Sequence, residues 1–152
     1  MTIHNRPSKK NLSQAVETFW ETFPPFWHRV RNHIRQVAVE QFDISVEQFH
    51  ILRNIRRGKC SVSELADAKN ISRPAISQGV DALVNKGFIS RATDANDRRH
   101  VQLALTDSGN ALLDAISVDT RQWMMQSLSP LSDEELQALT QAMDSLRKTQ
   151  IP

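Results

Sequence analysis

Cysteine, glycine and long apolar runs are all scarce in this chain, and each scarcity removes a class of protein. A single cysteine, Cys60, in 152 residues excludes an intramolecular disulfide and any four-cysteine metal site. Four glycines are too few for a phosphate-cradling loop, and neither the GxGxxG nor the P-loop pattern occurs. No apolar run approaches the roughly 18 residues of a membrane helix. The stretch from Met1 to Lys10 is polar and basic with no apolar segment behind it, so no secretory signal is visible. His28 and His33 are five residues apart, which does not put them on one helical face, and no metal-binding pattern is expected. No nucleophile–base or paired-carboxylate constellation stands at usable spacing, which argues against an enzyme. What is present, 39% apolar and 24% charged residues, is the composition of a folded protein. The expectation is a cytoplasmic, mainly α chain without a cofactor.

The net charge of +2 conceals an uneven distribution. Residues 45–103 hold ten basic side chains against six acidic, whereas residues 104–152 hold three against seven. A basic middle beside an acidic end suggests a segment facing a polyanion.

Helical periodicity dominates. Leu12, Ala15, Val16, Phe19, Trp20 and Phe23 keep three-and-four spacing, so roughly 11–23 reads as an amphipathic helix. Pro24-Pro25 is expected to stop it and a second helix to begin at once, with Phe26, Trp27, Val30, Ile34, Val37 and Ala38 as its stripe. Ser45 and Gln48, Ser61 and Glu64, and Ser132 and Glu135 each have the spacing of a capping box, marking three further helix starts. Thr106 is placed to cap a long helix that Pro130 ends.

The middle of the chain carries the most information. The helix opened by Ser61 must be short, because Lys69-Asn70 leads directly into Ile71-Ser72-Arg73-Pro74. Ser72 is a suitable N-cap, and Pro74 falls in a first turn, where its missing N–H costs little. The following helix, to about Lys86, buries Ile76, Val80, Leu83 and Val84 and turns Pro74, Ser77, Gln78, Asp81 and Asn85 outward. A short helix, a tight turn and a second helix with a small polar outer face form a helix-turn-helix pattern, suited to the DNA major groove. After Gly87 the period changes to alternation, giving strands over 88–91 and 100–105 around a polar tip that ends in Arg98-Arg99. A basic hairpin after a helix-turn-helix is a wing. An arginine at its tip suits a narrow minor groove, and Asp97 is placed to orient that arginine.

These residues resemble the MarR family of winged helix-turn-helix transcription regulators. The likeness runs through Leu83-Val84-Asn85-Lys86-Gly87-Phe88-Ile89, Arg91, Asp94-Ala95-Asn96-Asp97-Arg98-Arg99, Val101, Leu103, Leu105-Thr106 and Gly109. The D-x-x-D-R-R wing followed by L-T-x-x-G is quite specific, and the resemblance covers roughly 30–148. It implies a homodimer on double-stranded DNA, most often a repressor, with release by a small-molecule or oxidant signal. It places base contacts near Ser72, Arg73, Ala75, Ser77 and Gln78 and a minor-groove contact at Arg98, with Arg91 and Arg99 as further DNA-binding positions. A separate tryptophan-bearing helix before Pro24-Pro25 lies ahead of the usual family start.

The expected organisation is a basic arm over 1–10, N-terminal dimerisation helices over 11–44, a winged DNA-binding lobe over 45–105 and C-terminal dimerisation helices over 106–152. Val16, Phe19 and Trp20, with the seam Leu136, Leu139, Met143 and Leu146, are the expected dimer interface. Trp27, His28, Arg31 and His33 are the candidate pocket for a small aromatic anion, although core packing for Trp27 and a solvated or ion-paired Arg31 is the favoured reading of that cluster. Lys59 and Arg57 beside Cys60 are the argument for a redox switch; a passive cysteine is favoured. The other functional reading is a winged-helix protein-interaction module that does not bind DNA, and the charge on the wing argues against it.

Overall fold

The computed structural model describes residues 8–93 and 101–149. The elements run α1 (Lys9–Phe42), α2 (Val46–Arg56), α3 (Val62–Lys69), α4 (Arg73–Asn85), β1 (Ile89–Thr93), β2 (Val101–Leu105), α5 (Asp107–Leu128) and α6 (Asp133–Lys148). This is a mainly α chain with one two-stranded antiparallel hairpin, in the register Ile89 to Leu105 through Thr93 to Val101.

All three capping boxes form. At the start of α2, Gln48 N–H donates to Ser45 Oγ at 3.2 Å while Ser45 N–H donates to Gln48 Oε1 at 3.0 Å. The equivalent reciprocal bonds open α3 and α6. Each box satisfies two of the donors that a helix start leaves without a partner.

The proline pair behaves differently from expectation. Pro24 and Pro25 lie inside a continuous 34-residue α1 rather than between two helices. Each proline removes an N–H, so the carbonyls of Trp20 and Glu21 lose their helical donors. Both of those residues are exposed, where water can serve instead. The stacked ladder Phe19–Phe23–Trp27 spans the break, with ring centroids 4.9 Å and 6.3 Å apart and planes within 12°. These rings sit four residues apart on one face and hold the helical register across the missing bonds.

The core joins the C-terminal half of α1 to the lobe built from α2 to β2 and to the first half of α5. Ile44, Leu52, Leu65, Val80, Leu83, Leu103 and Ile116 are essentially inaccessible. Beyond this core the chain is open: α6 has no buried residue, and α1 has none before Val30.

Candidate nucleic-acid interface

The turn between α3 and α4 is fixed by backbone chemistry. Asn70 adopts the left-handed conformation at φ 52°, which stops α3, and Ile71 N–H returns to Ala66 O at 3.2 Å. Asparagine tolerates this region better than most side chains. Ser72 then opens α4 in extended backbone, with no hydrogen bond from its side chain to the helix. Its hydroxyl is therefore uncommitted at a helix N-terminus, where unpaired N–H groups and the positive dipole end favour an anion.

Ile76, Val80 and Leu83 pin α4 to the core. Ser72, Arg73, Ala75 and Gln78 are exposed, while Ser77 is half-buried and presents less of itself than the alternation suggests. Val84 is likewise only half-buried, and Ala68 of α3 is exposed. Gly79 packs against α2, since a Cβ there would stand 2.6 Å from Ile51 Cδ1.

The wing is anchored at its base by four hydrogen bonds, two between backbone groups and two through the Thr106 hydroxyl. Leu103 N–H donates to Cys60 O at 2.8 Å, and Thr106 N–H donates to Phe88 O at 3.1 Å. Thr106 Oγ1 donates to Gly87 O at 2.6 Å and accepts from Gly109 N–H at 3.1 Å. Gly109 lies so close to the wing that an added Cβ would be 2.2 Å from Phe88 O, which accounts for glycine in the L-T-x-x-G pattern. Gly87, at φ +76°, makes the left-handed turn out of α4. Arg91 of β1 forms an ion pair with Asp81 of α4, tying the strand to the helix. Asp97, Arg98 and Arg99 lie outside the described residues.

Cys60 is half-buried at this junction. Its N–H and that of Ser61 each donate to Glu64 Oε2 at 3.0 Å. The Ser61 hydroxyl bond holds the Glu64 carboxyl below its ordinary range against the opposing effect of burial, with lesser help from these N–H groups and the charge of Lys59.

A trough of about 380 Å³ lies between α1 and α2. Trp27, His28 and Arg31 line it, as grouped from sequence, and Trp27 is 45% exposed rather than sealed in the core of the single chain. His33 does not belong. Two residues from Arg31 on a helix, it faces the opposite way, where Nε2 lies 2.6 Å from Asp119 Oδ1 and the ring stacks on Trp123 at 4.9 Å. Sequence reasoning missed Arg35, His50 and Arg53, which complete the lining. The one-turn spacing of Arg31 and Arg35 and the i,i+3 spacing of His50 and Arg53 were the available signals.

Among the described residues no group of three or more His, Cys, Asp or Glu side chains could hold a metal ion, and no helix is long and apolar enough to cross a membrane.

Residues 44–101 match the model of the MarR family. The HTH-type transcriptional repressor MdtR of Bacillus subtilis is 28% identical over 100 residues, covering 65% of this chain and 64% of that protein, just under two thirds of its length. Among solved structures, a MepR variant of Staphylococcus aureus bound to an oligodeoxyribonucleotide has a TM-score of 0.69 and 26% identity, covering 84% of this chain and 94% of that one. A transcriptional regulator of Thermotoga maritima shares the fold at a TM-score of 0.78 and 22% identity, covering 86% of this chain and 92% of its own.

Proposed function

We propose that the chain is a member of the MarR family, whose model matches residues 44–101, and that it is a DNA-binding transcription regulator, not an enzyme, acting in the cytoplasm as a homodimeric repressor. The observation that carries this reading is the start of α4. Ser72, Arg73, Ala75 and Gln78 are exposed at a helix N-terminus, and none of them is buried in the core. Ser77 lies at the edge of the same face, and the Arg91–Asp81 pair fixes the wing strand beside it.

In this reading α4 enters the major groove and the wing follows the backbone, with Arg98 in the minor groove, Asp97 orienting it and Arg99 on phosphate. Val16, Phe19 and Trp20 on α1 and Leu136, Leu139, Met143 and Leu146 on α6 bring two copies together. The two recognition helices then address half-sites of a pseudo-palindrome about 34 Å apart. A small aromatic anion in the trough between α1 and α2, against Trp27, His28 and Arg31, favours a dimer whose helices no longer match that spacing, and DNA is released.

The test is fluorescence anisotropy of the full chain against DNA from upstream of its own gene, with a scrambled duplex and a salt series. Nanomolar binding, orders of magnitude tighter than to the scramble and falling steeply with salt, is expected. Weak, equal binding to every duplex tried would overturn the reading in favour of a protein-interaction module.

A further inference from the structure

Helix α1 ends without a cation of its own. Its last turn has no basic residue, although the carbonyls there have run out of N–H donors and the negative end of the helix dipole favours a positive charge. The chain turns at once through Asp43, left-handed at φ 50°, and Ile44 is sealed in the core with its N–H on Ala38 O at 3.2 Å. The cation comes from 43 residues further on. The Lys86 ammonium donates to the backbone carbonyl of Asp43 and, at 3.0 Å, to its carboxylate.

The place that lysine comes from gives the contact its meaning. Lys86 is the C-cap of α4, whose last turn also has no basic residue, so one ammonium joins the ends of two helices. One carries the proposed dimer surface and the other the proposed base contacts. Helix α1 packs chiefly on α5 and α2. The pairs His33–Asp119 and Arg56–Asp114, both at 2.6 Å, tie α1 and α2 to α5, while Arg91 and Asp81 tie the wing strand to α4. Lys86 therefore bonds across the line where the α1 frame meets the unit of α4 and wing. Ile76, Val80 and Leu83 hold α4 against the core, but apolar contact is not directional, whereas a hydrogen bond to a carbonyl is. The Asp43 side chain is almost wholly exposed, so the ion pair itself contributes little. The carbonyl bond is different, because the Lys86 side chain is only 32% exposed and its partner is main chain held by Ile44.

We infer that Lys86 is a positioning residue: by joining the C-cap of α4 to that of α1 it fixes the angle of the recognition helix on the dimerisation helix, and with it the half-site spacing that the protein accepts. The consequence for spacing rests on the DNA-binding reading given above, whereas the tie between the helices does not.

Two measurements on the full chain test this. The first is amide hydrogen exchange without DNA, comparing the parent with Lys86→Met, which keeps the aliphatic stem and removes the charge. Exchange over residues 39–46 and 86–89 is expected to quicken by about tenfold, with the amides of Leu52, Leu65 and Val80 still protected. Lys86→Arg keeps a cation and should restore most of that protection. The second is anisotropy on the upstream duplex and on a copy with one base pair inserted at its centre. The parent should lose about tenfold or more on the insertion, because both half-sites must be met together. For Lys86→Met the two duplexes should come within about threefold of each other, with binding to random DNA nearly unchanged. Unchanged exchange would remove the tie, and a spacing preference as sharp as the parent's would remove its positioning role. An equal loss on every duplex with a shallower salt slope would make Lys86 a phosphate contact; each of these three results overturns the inference. A parent that binds all duplexes alike would instead overturn the DNA-binding reading, and exchange would still decide whether Lys86 holds α4 to α1.

Discussion

At the scale of single residues, the positions that matter most to the lobe are small and easily overlooked. Gly109 opens α5 against the backbone of Phe88, and a Cβ there would meet Phe88 O at 2.2 Å and Phe88 C at 3.1 Å. Those are main-chain atoms held by the Thr106 N–H and the wing register, so they cannot swing aside as a side chain could. Gly109→Ala is expected to destabilise the fold by about 2 kcal/mol or more, read as a lower urea midpoint at unchanged slope. Glu64 gives a different signature. Its carboxylate accepts from the Ser61 hydroxyl and from two backbone N–H groups, so its folded pKa lies below the reference value of 4.5. A depressed folded value means the stabilisation is fully present above 4.5 and is lost as pH falls through the folded value. Glu64→Gln removes that titration, so stability of the variant should fall less steeply with acid below that pH than stability of the parent. Parallel urea titrations through the acid range would show it, and identical pH profiles would remove Glu64 from the account.

At the scale of elements, what was legible in the sequence is what is decided locally. The capping boxes at Ser45, Ser61 and Ser132 span three residues each, and their bonds form as the spacing requires. The alternation of Val101, Leu103 and Leu105 and the turn at Gly87 locate the wing for the same reason. Two features were not legible, because their causes lie further away. His33 is decided by Asp119, 86 residues on, and by Trp123, neither of which helical spacing along α1 can reveal. The trough needed α2 to bring Arg53 opposite Arg31. The proline pair failed for a third reason: the rule weighs one residue's backbone, whereas the stacked rings of Phe19, Phe23 and Trp27 offset part of the cost of carrying the helix through. That explanation has a consequence. If the helix runs through Pro24 and Pro25 only because the rings hold it, the two missing N–H groups are a standing cost, and Pro24→Ala/Pro25→Ala should raise Tm. The gain is up to about 3 kcal/mol per proline from restored helix, less about 1 kcal/mol for the freer unfolded chain. A lower Tm in the double variant would mean that a break at this point is part of the native fold.

At the scale of the whole molecule, the proposed dimer would cover an apolar surface that the single chain leaves exposed. Leu12, Val16, Phe19, Trp20 and Phe23 are all exposed along one arm of α1, with Trp20 at 73%. Met143 and Leu146 of α6 are exposed as well, and Leu136 and Leu139 only half-covered. Monomeric proteins rarely leave so much apolar surface contiguous, and a stable dimer requires about 1,200–2,000 Å² of buried area. Charge fits the same pairing: α6 begins Asp133-Glu134-Glu135, whereas α1 begins Lys9-Lys10. Trp20→Glu combined with Met143→Glu places carboxylates on both faces without touching the core of the lobe. Sedimentation of this variant is expected to give half the parent mass, with the helical content of the lobe retained. Its effect on DNA is the sharper readout. A dimer engages the second half-site at the high effective concentration set by the first, so loss of pairing should weaken operator binding by about 10²-fold or more. Binding of each chain to random DNA, which depends on the charge of its own lobe, should change little. An operator affinity that survives a halved mass would mean that one lobe reads the site alone, and the two-fold arrangement would have to be abandoned.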